Sequence, residues 1–485
     1  MKKFISILLT LAMISGICVT AFAEDTITET ELPDSEYPFV VCRGMDFDGL
    51  TTDLGLETER NALNPIETSD IISTLAKCVG NAVKEGSLDG IMPPLMEYLE
   101  YVMGGLACDE NGESVHNTTM KSYPLAIGNY PDYLEEHSEI APMEHGIVME
   151  GVERYGADKV YYYAYDWRYS PVDTCDGLND MIELAKAEHG TDKVNLVCAS
   201  MGGAVVDAYI YEYGCESLNK CIFDGTVFCG TYVVTDLFQG KVQITGTGLE
   251  YFLYDKMGDN NFLVKTLSTS GLLDAVAGVA MKFVDRYKGY VYDNFLRDTF
   301  VTMPALWAIV LPEEYDACIE YMFPTEEDKA KYANVIAQAD ELHEIMTGMD
   351  ELLLSLSEQG VEVAVFAGYD MSPVPVYARS ASHGDNVLES ALMLGRARVA
   401  NFGEELDGDS AMMSPDKQVD LSTCLFPEYT WAIKDMPHVS CGYGTEVSDF
   451  LFWLVEYEGQ PTVYSNPQYP QFMISSADER LIPFE

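Results

Sequence analysis

Basic residues are scarce in this chain of 485 residues, which has 28 lysines and arginines against 79 aspartates and glutamates. A formal net charge of −51 argues against nucleic-acid binding and against adsorption to anionic lipid surfaces, and it favours solubility outside the cell. Paired C-x-x-C motifs are missing, so we expect no zinc site. Internal repeats and low-complexity tracts are missing too. Composition therefore favours a globular extracellular protein with neither nucleic acid nor zinc as a partner.

Apolar runs long enough to cross a membrane are missing beyond the N-terminus, because charges interrupt them, so we expect no later membrane span. Residues 1–23 combine two lysines, an apolar core and a small-x-small end at Ala21 and Ala23. This pattern predicts a secretory signal peptide, cut before Glu24, and a secreted protein with no integral membrane span after cleavage. A lipoprotein anchor at Cys18 is a weaker alternative, because the bulky Ile17 precedes it.

Cysteine pairing is left open by the sequence. Of the 12 cysteines, Cys18 leaves with the signal peptide, so an odd number, 12 − 1 = 11, remains. Some lie inside apparent buried strands and are expected to be small core residues: Cys42, Cys198 and Cys221. Two pairs are candidates for disulfides outside the cell: Cys215 with Cys221, and Cys424 with Cys441.

The segment KVNLVCASMGGAVVDAYIYEYG, residues 193–214, is typical of a nucleophile elbow. An apolar strand turns abruptly into a helix of small residues, which would expose the hydroxyl of Ser200 above a sheet. Gly202 and Gly203 give the room that the close strand–helix approach requires. The first glycine of the usual G-x-S-x-G is replaced by Cys198. The alternative is an ordinary helix-capping serine.

Apolar strands alternate with helices along the mature chain. The pattern predicts a parallel sheet covered by helices on both faces. The expected strands are residues 39–42, 159–167, 194–197, 220–228 and 361–368 and the segment TWAIKDM, followed by a closing helix in TEVSDFLFWLVEY. Two helical stretches interrupt this pattern, at about 54–142 and 231–357. Because insertions after strands rise over the carboxyl edge of a sheet, the second is expected to be a lid or substrate-binding cap.

An elbow serine needs a base, and in folds of this type serine, acid and histidine follow in that order. Three histidines come after Ser200. His343 has helical spacing, and His383 stands within the expected acid loop. His438 follows the last predicted strand and precedes the closing helix, so it is the predicted base.

The acid is less distinct than the base. Asp370, Asp385 and Asp409 each follow Ser200 in the right part of the chain, and each can orient an imidazole. Asp385 precedes a helix-like segment, whereas Asp409 lies among several acids in a turn. The oxyanion hole would use the N–H groups of Met201, after the serine, and of Met45, in the loop after the first strand.

The residues Tyr165, Asp166, Trp167 and Arg168, followed by the elbow, resemble the lecithin:cholesterol acyltransferase-like branch of the α/β-hydrolases. The likeness is specific over about 65 residues, 152–214, and looser after them. GDNVLES resembles the acid loop of that family, which places the acid at Asp385. DGDSAMM resembles the same loop, so Asp409 remains an alternative for the acid. MPHVS resembles the base loop around His438, whereas Arg43-Gly44 stands where the family has Pro-Gly.

The resemblance implies an α/β-hydrolase domain over residues 24–485, with the two stretches as helical insertions. It implies hydrolysis of acyl, in particular lipid, esters by a Ser200–His438–Asp385 triad through an acyl-enzyme, with no metal and no cofactor. An O-acyltransferase and a catalytically silent binding protein remain alternatives. Calcium at Asp46 and Asp48, or at the DENGE loop, is a weaker expectation, because the twelve-residue calcium-loop pattern is missing. The oligomeric state is left open.

Overall fold

The structure of the protein is a computed structural model, which describes residues 36–45, 49–64, 68–120, 127, 145–257, 261–476 and 480–484. The predicted signal peptide lies outside the described residues.

The strands of the described chain form one large sheet and two small ones. They are β1 (Phe39–Cys42), β2 (Leu50–Thr52), β3 (Arg60–Asn61), β4 (Thr118–Met120), β5 (Val160–Tyr163), β6 (Val194–Ala199), β7 (Leu218–Asp224), β8 (Glu362–Tyr369), β9 (Arg398–Val399), β10 (Val419–Asp420), β11 (Thr430–Lys434), β12 (Phe472–Ser475) and β13 (Leu481–Pro483).

The helices lie between and after these strands. They are α1 (Thr68–Glu85), α2 (Met92–Met103), α3 (His145–Tyr155), α4 (Pro171–His189), α5 (Gly202–Tyr213), α6 (Tyr232–Phe238), α7 (Gly246–Met257), α8 (Asn261–Thr269), α9 (Leu272–Val291), α10 (Pro304–Trp307), α11 (Tyr315–Met322), α12 (Glu326–Lys331), α13 (Ala333–Thr347), α14 (Met349–Glu358), α15 (Ser390–Met393) and α16 (Glu446–Glu456). A π-helix, Tyr292–Val301, continues α9, and 3₁₀ turns span Leu88–Ile91, Gly104–Leu106, Ala157–Lys159, Pro312–Glu314 and Leu421–Thr423.

The large sheet has the strand order β13-β12-β11-β8-β7-β6-β1-β5. Neighbouring strands are parallel except β12 and β13, which form an antiparallel pair at one edge. The predicted mostly parallel α/β sheet is confirmed. Because the strands are parallel, the loops after β1, β6, β8 and β11 all leave from the same edge.

Helices cover both faces of the sheet, as its continuous apolar strands require. Successive strand residues alternate between two apolar clusters, so that Val40 and Cys42 pack on one side and Phe39 and Val41 on the other. Helices α4, α5 and α14 bury their apolar residues in the first cluster, and α3 and α16 in the second. The sheet is thus packed on both faces beside the edge from which the site loops leave.

The observed elements differ from the predicted ones mainly at their ends. The strand expected over 159–167 stops at Tyr163, and α4 begins at Pro171, where the side chain of Ser170 caps it through the Val172 N–H. Within the stretch predicted as helical from about residue 54, β3 and β4 pair with β2 in a three-stranded antiparallel sheet. These strands are two and three residues long, too short for an alternation pattern to reveal.

The cysteines of the described part of the chain are all buried, and none of them forms a disulfide. The two disulfides suggested by the sequence, Cys215 with Cys221 and Cys424 with Cys441, are therefore not formed. Within that part, no helix combines the length and apolarity needed to cross a membrane.

Candidate active site

Ser200 lies in the turn between β6 and α5, where its backbone takes the left-handed φ of 49°. Such a φ is uncommon for a residue with a side chain and marks strain that the surroundings must hold. The Ser200 N–H donates to the Asp224 carbonyl (3.2 Å), and the Ser200 carbonyl accepts from the N–H groups of Gly203 and Val227 (3.1 Å each). The turn is therefore fixed by α5 and by the end of β7.

Glycines permit the close approach of three chain segments around Ser200. A Cβ on Gly202 would lie 2.6 Å from the Cys42 carbonyl oxygen, and one on Gly203 would lie 2.7 Å from Cβ of Thr226. A Cβ on Gly44 would lie 2.7 Å from Cβ of Ser200 itself. Any side chain at these positions would push the loop after β1 or the start of α5 away from the serine.

Cys198 stands where the usual motif has its first glycine, and its surroundings accept a side chain. Its thiol is fully buried and donates to the Ile222 carbonyl on β7 (3.5 Å). Burial raises the pKa of this thiol well above its usual value, and the neighbouring Cys221 adds to the shift. Cys198 is thus an uncharged core residue of the sheet, and the turn keeps its shape without the first glycine.

His438 bridges Ser200 and Asp385. Its Nε2 lies 2.9 Å from Oγ of Ser200, and its Nδ1 lies 2.6 Å from Oδ2 of Asp385. The side chains of His438 and Asp385 are 6% and 1% exposed, so water hardly screens this pair. A carboxylate beside Nδ1 keeps the proton there and leaves the lone pair of Nε2 facing the serine hydroxyl.

Asp385 is held in a tight turn within the loop between β8 and α15. Its Oδ1 accepts the N–H groups of Val387 (3.1 Å) and Leu388 (2.9 Å), which leaves Oδ2 for the histidine. The His438 N–H donates to the Asp385 carbonyl (2.8 Å), so the acid and base loops are also joined through their backbones. Asn386, next to the acid, has a φ of 79°, which makes this a tight and strained turn.

The other candidate acids lie elsewhere. Oδ1 of Asp370 lies 3.0 Å from Nδ1 of His383, and its Oδ2 lies 3.0 Å from Nζ of Lys434. Burial raises the pKa of Asp370, but the hydrogen bonds from His383 and Lys434 outweigh it and leave the pKa below its usual value. Asp409 is exposed. Of the three carboxylates considered, Asp385 is the one that contacts His438.

The other candidate bases are also engaged away from Ser200. His383 is buried beside Asp370 and packs against Phe402, with ring centroids 4.4 Å apart. His343 lies on α13 and stacks on Tyr315 at 4.2 Å. Both positions agree with their spacing in the sequence, one in the acid loop and one on a helix.

The two predicted oxyanion-hole residues lie on different segments, Met201 directly after the serine and Met45 in the loop after β1. Met201 precedes the first residue of α5 and is buried, and Met45 follows Gly44 in the loop that packs against Ser200. Helix N-termini and such loops supply N–H groups to a developing negative charge. That the Met45 and Met201 amides hold an oxyanion stays a prediction.

The Tyr165–Arg168 segment fastens the loops beside the site. The Tyr165 hydroxyl donates to the carbonyl of Arg43, next to Gly44 (3.1 Å). Arg168 is fully buried and pairs with Asp166 through two nitrogens, at 2.9 and 2.7 Å. It also donates to the carbonyls of Leu106 and Thr118 and to the hydroxyl of Ser114, all in the first insertion. This segment therefore has a positioning role, which the sequence alone did not reveal.

Two further buried carboxyl groups near the Ser200 turn were not predicted from the sequence. Asp224 ends β7, and its Oδ2 accepts from the thiol of Cys441 (3.4 Å), three residues after His438. Glu389, four residues after Asp385, is 1% exposed, and burial raises its pKa to about 7. The one available signal was an acid directly after an apolar strand, which Asp224 carries and Glu389 does not.

The two calcium expectations have different outcomes. Asp46 and Asp48 lie outside the described residues. In the DENGE loop, Oδ1 of Asp109 accepts the N–H groups of Asn111 and Glu113, which is an ordinary side-chain-closed turn. Among the described residues, no group of three or more histidine, cysteine or acidic side chains is placed to hold a metal ion.

Comparisons with known proteins give little for this chain. A scan against protein-family models finds no match, and a search of curated proteins finds none either. Among solved structures, a chain in the crystal structure of the Tle4–Tli4 complex is similar with 12% sequence identity and a TM-score of 0.30, over 81% of this chain and 89% of that chain. A likeness this low does not establish a shared fold, so the functional conclusion depends on the geometry around Ser200.

Proposed function

We propose that the protein is a serine hydrolase of acyl esters with an α/β-hydrolase fold, in which Ser200 is the nucleophile, His438 the base and Asp385 the orienting acid. One observation carries the proposal: the His438 ring spans Ser200 Oγ and Asp385 Oδ2 at 2.9 and 2.6 Å. A serine hydroxyl, an imidazole and a buried carboxylate in this order make the weakly nucleophilic serine reactive.

The mechanism follows from these contacts. Nε2 of His438 takes the hydroxyl proton as Oγ of Ser200 attacks the ester carbonyl, and Asp385 stabilises the imidazolium that forms. The Met201 and Met45 amides hold the oxyanion. Nε2 returns the proton to the departing alcohol, which leaves an acyl-serine. Water then attacks the acyl-serine while His438 takes its proton, and the carboxylic acid and free Ser200 are released.

Lipid esters are the proposed substrate class. The resemblance carried by the Tyr165–Arg168 segment supports it, and so does the helical second insertion, residues 231–357, which we propose as a cap. This insertion is joined to the site-bearing segments, since the Thr231 hydroxyl donates to Glu389 (3.2 Å) and the Ala305 N–H donates to the Arg168 carbonyl (3.3 Å). A cap fixed at these points would cover the serine edge of the sheet.

Ester hydrolysis by purified protein tests the function. We expect hydrolysis of p-nitrophenyl butyrate and palmitate, loss of both activities in Ser200→Ala, and unchanged activity in Ser73→Ala. Ser73 is a matched control because it is an exposed serine on α1. Activity retained by Ser200→Ala would overturn the assignment of the nucleophile.

We also propose that residues 1–23 direct export and are removed before Glu24. The intact mass of protein recovered from the culture medium tests this. A mature N-terminus at Glu24 is expected, and full-length protein retained inside the cell would contradict export.

A further inference from the structure

Glu389 is a buried carboxyl group on which three hydrogen-bond donors converge. Its Oε1 accepts the N–H of Tyr232 (2.5 Å), and its Oε2 accepts the hydroxyls of Thr231 (3.2 Å) and Tyr377 (3.1 Å). Thr231 and Tyr232 open the second insertion at the start of α6. The proposed mechanism does not use Glu389, so its burial needs another explanation.

The backbone of Glu389 closes the loop that carries Asp385. Glu389 pairs with Gly384 in an antiparallel bridge, and the Asp385 N–H donates to the Leu388 carbonyl (3.1 Å) between them. The Ser390 N–H donates to the His383 carbonyl (2.9 Å) on the same loop. Any shift of Glu389 therefore moves the turn whose N–H groups hold Oδ1 of Asp385.

Two of the three donors to Glu389, Thr231 and Tyr232, belong to a segment that is joined to the Ser200 turn. The Val227 N–H donates to the Ser200 carbonyl, the Gly230 N–H donates to the Val227 carbonyl (2.7 Å), and Thr231 follows with its hydroxyl on Glu389. Glu389 thus connects the segment that follows the Ser200 turn with the loop that carries Asp385. His438 is the other point at which Ser200 and Asp385 are connected.

The charged and titratable groups around Glu389 do not neutralise it. Arg379 stacks over the Tyr232 ring, with its guanidinium carbon 4.0 Å from the ring centroid, but it bonds to Asp236 at 2.7 Å and to Glu314 at 2.6 Å. Several other titratable groups face this region from the packed elements: Tyr232, Tyr377, Asp236, Asp385, Arg396 and Glu313. Burial dominates, and it raises the pKa of Glu389 to about 7 although the three donors act in the opposite direction.

We propose that Glu389 is a positioning residue whose ionised form clamps the Asp385 loop to the Thr231–Tyr232 segment, so that gain of a proton loosens the acid of the triad. This inference rests on the proposed function. The three groups that hydrogen-bond to Glu389 are all donors, so an ionised carboxylate accepts from every one of them. A protonated carboxyl group must turn one hydroxyl round to accept its proton, which weakens the clamp.

The test compares Glu389→Gln with the wild type across pH. The amide has the shape of the protonated acid and cannot ionise. We expect the two proteins to have equal kcat/KM at low pH. At high pH the kcat/KM of the variant should fall to about one tenth of the wild-type value. This loss is smaller than the ~100-fold cost of a 1 Å misplacement, because the Asp385 loop is loosened and not displaced. The midpoint of this change is expected near pH 7.

Stability is expected to move in the opposite direction. Because the folded-state pKa of about 7 lies above the unfolded value, the contribution of Glu389 is present below the unfolded pKa and lost as pH rises through about 7. Glu389→Gln should therefore gain stability over the wild type, by urea unfolding, in the pH range where it loses activity. A purely structural role would make activity and stability fall together.

Two further variants complete the test. Glu404→Gln removes an exposed glutamate in a nearby loop and should leave the ratio at one throughout. Tyr377→Phe removes one donor to the carboxylate, which should raise the pKa of Glu389. The activity of the double variant with Glu389→Gln, divided by that of Tyr377→Phe, should therefore change at a higher pH than the ratio of Glu389→Gln to the wild type. An active wild type with a pH-independent ratio overturns the role of Glu389 alone, whereas an inactive wild type overturns the proposed function and this inference with it.

Discussion

Replacing Asp385 by asparagine should abolish most of the activity, and the structure indicates why. Oδ1 of Asp385 accepts two N–H groups, from Val387 and Leu388, so an asparagine must place its amide oxygen there. Its NH₂ group then faces Nδ1 of His438, where Oδ2 lies now. Nδ1 becomes an acceptor, the ring proton moves to Nε2, and Nε2 can no longer take the proton of Ser200.

The expected loss in kcat/KM is about 10⁴-fold, the size of effect that a wrong histidine tautomer has in a serine triad, or about 5 kcal/mol of transition-state stabilisation. KM should change little, since Asp385 is buried and contacts Nδ1 of His438, whereas Ser200 lies at Nε2. Initial rates of p-nitrophenyl ester hydrolysis measure the effect, with the rate of Ser200→Ala subtracted as background. Circular dichroism verifies that the variant is folded.

Asp409→Asn is the matched control, because it removes an exposed carboxylate of the same part of the chain and should leave the rate unchanged. The reasoning would be refuted if the two variants lost activity equally, or if Asp385→Asn stayed as active as the wild type.

Two other predictions concern the helix that follows Ser200. Asp207 is fully buried, and its two carboxyl oxygens have no hydrogen-bond partner in the described part of the chain; burial raises its pKa well above the usual value. Its contribution to stability is therefore present below the unfolded pKa and lost as pH rises, by about 1.4 kcal/mol per pH unit until the folded group ionises. Asp207→Asn should match the wild type at about pH 4 and be more stable near neutral pH in urea unfolding; an equal difference at both pH values would contradict this. Gly202→Ala should cost about 1–3 kcal/mol and reduce activity, because its Cβ would lie 2.6 Å from the Cys42 carbonyl oxygen. Gly278→Ala, an exposed helix position with nothing within 4 Å, should instead be neutral or stabilising in the same unfolding assay, and equal losses in both would contradict the close-approach argument.

The sequence predicted best what local chain chemistry determines. A strand, a serine and two glycines specify a sharp turn whatever the rest of the chain does, and the turn at Ser200 has the expected strained backbone. The position of His438 after the last predicted strand followed from chain order, because loops after parallel strands meet at one edge.

Contacts between distant segments could not be predicted in this way. Asp385 and Asp409 occupy similar acidic, glycine-containing loops, and only the folded chain places one against His438 and the other at the surface. Cys198 departed from the motif because it replaces a glycine, and the sequence could not show that its thiol bonds to Ile222 on another strand. Glu389 and its donors Thr231 and Tyr377 lie up to 158 residues apart in sequence. No periodicity brings such residues together.

The most direct measurement of the central claim is covalent labelling of the folded protein with a fluorophosphonate, followed by mass spectrometry of its peptides. A reactive Ser200 should carry a single adduct, within the peptide that spans residues 193–214, and the adduct should be lost in His438→Gln. Folded protein that stays unlabelled, or an adduct on another residue, would contradict the assignment of Ser200 as an activated nucleophile.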